Sequence, residues 1–88
     1  MVRVYVVKKK HRLEEEDYEE VIFVASSRKR ALAAITEELL SIYAEWRYAI
    51  FTIERWTVNR KCDAEVTIET LSKEQNKQLV IDAGGVVE

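Results

Sequence analysis

The chain has no proline, two glycines, one cysteine and one histidine in 88 residues. Each shortage removes a class of structure or chemistry. The two glycines are adjacent, Gly84 and Gly85, and cannot make a glycine-rich phosphate loop. Without proline there is no stiff, extended linker. A lone Cys62 forms no intrachain disulfide and, with only His11 beside it, falls short of the four ligands of a structural zinc site. The low cysteine count fits a reducing compartment, and a cytoplasmic location is expected. Charge of one sign is missing too. Lys and Arg number 14 and Asp and Glu number 16, leaving a net charge of −2, so no global field draws the chain to nucleic acid or anionic lipid. No segment approaches the roughly 20 apolar residues of a membrane span. The apolar part of MVRVYVVKKK is too short for an export signal, and its charges follow that part rather than precede it. A soluble protein made without an export signal is the expectation.

What remains is a globular balance, 48% hydrophobic and 34% charged, enough for one modest core and one domain over residues 1–88. Alternating Val2, Val4 and Val6 in VRVYVVK (2–8) predict a strand, and EEVIFVAS (19–26) predicts a second paired with it as a hairpin. Between them KKKHRLEEEDYEE (8–20) reads as a connector. On this reading the first strand ends in Lys8–Lys10, the chain turns through His11–Asp17, and it re-enters the sheet near Glu19.

Leu32, Ile35, Leu39, Ile42 and Trp46 recur at spacings of three and four and predict a helix over 27–45. Ser26 or Ser27 can cap it. RYAIFTIERWTVN (47–59) predicts a third strand, with Phe51 and Ile53 on one face and Trp56 and Val58 on the other. Either both faces are covered or a bulge near Glu54–Arg55 shifts the register. After the turn NRKCD, AEVTIET (64–70) predicts a strand with Ala64, Val66 and Ile68 inward and Glu65, Thr67 and Glu69 outward. In LSKEQNKQLVIDAGG, Ser72 as N-cap, Gln75 three residues on and the glycine pair as a stop argue for a short helix; a strand through LVID is the alternative. The expected fold is α+β: one antiparallel sheet of about four strands in the order β-β-α-β-β, a short C-terminal helix, and the long helix packed on one face.

Three stretches carry a resemblance: VYVVKKKHRLEEED as strand and acidic loop, VIFVASSRKRALAAI as strand turning at serine into an alanine-rich helix, and FTIERWTVN as closing strand. Over roughly residues 1–60 the chain resembles a family of small bacterial and phage domains of unknown function. The resemblance implies the same fold. It supplies no catalytic residue, and the phage and mobile-element settings of that family imply an interaction role.

No enzyme is expected. The carboxylates lie in runs or on an outward strand face, Glu65 and Glu69 are two pleats apart, and no Ser or Cys sits in a nucleophile motif. No cofactor or metal is expected either, since His11 with Glu14, Glu15, Glu16 and Asp17 lacks both zinc's ligand set and calcium's alternate spacing with a glycine bend. The basic run Arg28, Lys29 and Arg30 is more informative. It opens the long helix, where the macrodipole is already positive and each cation costs about 0.3–1 kcal/mol. Three explanations stand open: the acidic loop 14–20 folds toward it, an anion such as phosphate binds there, or the cations are solvated. A nucleic-acid reading adds KKKHR, NRK and the aromatics Tyr5, Tyr48 and Trp56 to this patch. The favoured reading is a protein-binding module. A sheet with aromatics on both faces exposes more apolar surface than one helix covers, so a protein partner or homodimer is expected, with Tyr48, Arg55 and Trp56 as contact residues. The edge strands 2–8 and 64–70 are further candidates for extending a partner's sheet, and lysines 8–10 discourage indiscriminate pairing.

Overall fold

The β-branched runs pair into one antiparallel sheet, seen in a computed structural model that describes residues 2–12, 16–41, 45–59 and 63–85. The strands are β1 (Val2–Arg12), β2 (Asp17–Ala25), β3 (Ile50–Val58) and β4 (Ala64–Thr70). Their order across the sheet is β2-β1-β3-β4, so β1 and β3 are central and β2 and β4 form the edges. Helices α1 (Arg28–Ser41) and α2 (Lys73–Asp82) complete the fold, with a 3-10 turn at Glu45–Arg47. The expected α+β class and strand number hold.

The charged segment 8–20 is less of a connector than its composition suggests. β1 continues to Arg12 and β2 begins at Asp17, so most of the charges face each other across a hairpin. Opposite charges on neighbouring strands stabilise such pairings modestly. Lys10 meets Asp17 at 3.5 Å, Lys8 meets Glu19 at 3.9 Å and His11 meets Glu20 at 2.9 Å. The His11 ring also stacks on Tyr18, its cross-strand neighbour. Val7 pairs with Phe23 and Lys8 with Val21, which leaves Ile22 as an extra residue, a bulge in β2. Of the two alternatives for β3, the bulge near Glu54–Arg55 is absent; β3 pairs with β1 in unbroken register from Ile50 to Val58.

Helix α1 starts one residue later than expected and ends at Ser41, with Ile42 and Tyr43 outside the described residues. Ser27 is the cap: its Oγ accepts from the Arg30 N–H at 3.2 Å. Ala31, Ile35 and Leu39 bury one stripe of α1 against Val7, Ala25, Phe51 and Ile53 of the sheet. Trp46, expected as the last residue of that stripe, reaches the core from the 3-10 turn instead.

The tail is a helix, not a strand. Ser72 and Gln75 form a reciprocal capping box, with Ser72 Oγ accepting from Gln75 N–H at 3.1 Å and Gln75 Oε1 from Ser72 N–H at 2.8 Å. Inside α2, Asn76 is wholly buried and its Nδ2 donates to the carbonyls of Ala49 (2.9 Å) and Trp46 (3.4 Å). These bonds fasten α2 to the turn ahead of β3. Gly85 lies so close to α1 that a Cβ there would meet Leu40 Cδ2 at 2.8 Å and Val80 Cγ1 at 2.7 Å.

Candidate functional site

Residues paired across antiparallel strands share a face, so the register assigns every strand residue to one side of the sheet. The helix side holds Tyr5, Val7, Phe51 and Ile53, with α1 above them. On the other side β1 presents Val2, Val4 and Val6, and β3 presents Trp56 and Val58. Val24 of β2 pairs with Val6, and Val66 of β4 pairs with Trp56. This corrects the expected orientation of β4. Ala64, Val66 and Ile68 lie on the face away from the helices, with Ile68 62% exposed, while Glu65, Thr67 and Glu69 lie on the helix side. The reason is lateral position: β4 is an edge strand and α1 lies over β1 and β2, so the β4 side chains stay exposed on both faces apart from the half-buried Glu69.

The result is a continuous apolar sheet face with no covering layer among the described residues. The molecule's thinnest extent is 18 Å, room for one helix layer on one sheet, since packed layers stand about 10 Å apart. Antiparallel sheets that face water normally alternate to polar side chains on the wet side. Here the wet side is valine, isoleucine and tryptophan at one end.

At the other end the face is charged. Lys8 Nζ donates to Glu54 Oε2 at 2.9 Å, and Trp56 Nε1 donates to Glu54 Oε1 at 3.2 Å. The Lys8 hydrogen bond, aided by the Trp56 bond and the Lys8 charge, holds the Glu54 carboxyl below the usual carboxylate range. Reciprocally, the Glu54 hydrogen bond holds the Lys8 ammonium above its ordinary value. Trp56 is thereby fixed in orientation, tied to an ion pair by its indole nitrogen while 38% of its surface stays exposed.

The three expected contact residues do not converge. Trp56 is on the open face, Arg55 is on the helix side with its guanidinium at 3.4 Å from Thr67 Oγ1, and Tyr48 lies in the turn before β3, 80% exposed. The basic run has a different partner from the one anticipated. Arg28 grips Glu69 of β4 with two hydrogen bonds, Nη2 to Oε1 at 2.6 Å and Nε to Oε2 at 3.1 Å. That contact lowers the Glu69 carboxyl and raises the Arg28 guanidinium. Of the acidic segment thought to lean toward the helix start, Glu14 and Glu15 lie outside the described residues and Asp17 pairs with Lys10. Lys29 and Arg30 are exposed and make no ion pair among the described residues. The aromatics invoked for stacking are split as well, Tyr5 on the helix side and Trp56 on the open side.

One arrangement was not anticipated. Arg47, Lys73 and Lys77 all lie over the Trp46 ring, at 5.1, 5.9 and 5.9 Å from its centroid. The Lys73 and Lys77 spacing of four places both on one face of α2. The indole is nearly buried, and the cations over its face are attracted by the ring quadrupole.

Among the described residues no helix is long and apolar enough to cross a membrane, and no three His, Cys, Asp or Glu side chains are grouped as a metal site would need. No family model, no curated protein and no solved structure matches the chain.

Proposed function

We propose that this chain is a small non-enzymatic protein-interaction or accessory module that works by presenting the open sheet face, around Trp56, to a protein partner or to a second copy of itself. The observation that carries the reading is the contiguous apolar surface from Val2 to Ile68, left bare by both helices. Apolar patches of this kind on a small domain mark interaction sites. Trp56 adds a large aromatic of the type enriched at interface hot spots, already oriented by Glu54. The non-enzymatic part is supported by where the shifted titratable groups lie. They form two ion pairs, Lys8–Glu54, which Glu19 also approaches, and Arg28–Glu69, in each of which a cation is matched by a carboxylate of this chain. The resemblance noted in the first sixty residues adds the expectation of a phage or mobile-element origin, and the low cysteine count adds that of a cytoplasmic setting.

Binding of nucleic acid or phosphate at the start of α1 is the alternative reading, and it has less to rest on. Arg28 is occupied by Glu69, and no face combines the helix start with both sheet aromatics. The two readings part in a cross-linking experiment. A photo-reactive residue at position 68 is expected to capture a protein, either a partner or a second copy, while one at position 29 captures none. Capture from position 29 alone, or of nucleic acid there, contradicts the proposal.

A further inference from the structure

We infer that the layer covering the open face is a second copy of this chain, packed sheet against sheet about a two-fold axis that runs along the strands between β1 and β3. The inference rests on the interaction reading above and supplies its partner. The strand order β2-β1-β3-β4 makes that axis special. Rotation about it lays β1 over the partner's β3 and β2 over the partner's β4. Because the axis follows the strands, each end of the face stays over its own end. The apolar end meets the apolar end, with Trp56 over the partner's Val4 and Val24 over the partner's Ile68. Val24 and Ile68 are among the most exposed apolar side chains described, at 58% and 62%, and this packing covers both. Aligned sheets in sandwiches bury their apolar faces in the same way.

Charge points to the same partner. Lys8 is on β1 and Glu54 on β3, the two strands that the axis exchanges. Each Lys8 therefore comes over the partner's Thr52, two residues along the strand from the partner's Glu54, and these long side chains bring the two ion pairs into one cluster of alternating sign. The open faces of β4 and of the apolar half of β2 carry no charge to oppose it. The remaining charges on that face are already balanced, Lys8 also meeting Glu19 and Lys10 meeting Asp17, so nothing on it calls for a partner of net charge.

The edges are poorer routes to self-association. Two β4 strands paired antiparallel about Thr67 would set Glu65 opposite Glu69 of the other copy, like charges on neighbouring strands, and β2 is interrupted by its bulge at Ile22. Four strands about 4.8 Å apart and about eight residues long give a face of about 500 Å². Two such faces bury about 1,000 Å², the lower limit of a specific interface, so the dimer is expected to be weak and concentration-dependent.

Light scattering over micromolar to millimolar concentrations, with circular dichroism as the check on folding, tests this. The wild-type chain should pass from monomer to dimer. Lys8→Glu and Glu54→Lys should each weaken the dimer at least about tenfold, because like charges then meet across the axis, and an equimolar mixture of the two should recover association as a mixed dimer. Val24→Lys, which leaves the Lys8–Glu54 pair intact, should weaken it too, and it decides the matter if either charge variant fails to fold. A dimer indifferent to all these substitutions uses another surface and overturns the inference. A wild-type monomer at every concentration overturns it as well. In that case an apolar dye that binds the wild type and is lost in Ile68→Lys leaves the open-face reading standing with a foreign partner, whereas no dye binding removes both.

Discussion

The pairing of Arg28 with Glu69 resolves a local conflict in the sequence. A cation in the first turn of a helix is opposed by the macrodipole, and here a carboxylate delivered from β4 offsets it with a bidentate contact. The consequence for pH follows from the sign of the shift. Glu69 titrates below its ordinary value of 4.5 when folded, so between those two values the unfolded chain holds more protons. The contact then stabilises the fold above the ordinary value, and the contribution is lost as pH falls through the folded one. Glu54 behaves the same way through Lys8. In thermal melts across acid pH, Arg28→Gln should fall less steeply than the wild type, since Glu69 returns toward its ordinary value and only the Glu54 share remains. An unchanged slope would show that the Arg28 contact does not operate in solution.

Among the elements, α2 is the one whose local signals were complete. Ser72, Gln75 and the terminal glycines named its start and stop, and the capping box is present. Ser72→Ala removes one side of that box and should lower stability by about 0.5–2 kcal/mol in chemical denaturation. A cost near zero would mean that the Asn76 bonds to Trp46 and Ala49 hold α2 without its cap. The strands were legible in existence, but β1 and β2 run further into the charged segment than its composition suggests, and orientation was not legible. Alternation in AEVTIET separates two faces and does not say which is covered, because that depends on where α1 lies. The hairpin placed the apolar stripe of α1 over β1 and β2 and left β4 to be reached only by Arg28 of its first turn. The same lateral placement put Trp56 on an uncovered side, a third outcome beyond the bulge or the double cover. The basic surround of Trp46 was half legible: Lys73 and Lys77 share a helix face by spacing, but the indole they cover is set by tertiary packing.

For the molecule as a whole, a two-layer domain with bare valines on its outer sheet face is incomplete in water. Apolar area left exposed forgoes about 25 cal/mol per Å², and covering it is the most direct source of association energy the chain has. The central claim is that this face is an association surface with Trp56 inside it. Trp56 can report on itself once Trp46→Phe removes the other indole, a large-for-large change at a nearly buried site. In that background, fluorescence measured as concentration rises or as a captured partner is added should shift to the blue and lose its quenching by acrylamide. Emission that stays red and quenchable in the associated state would contradict the account.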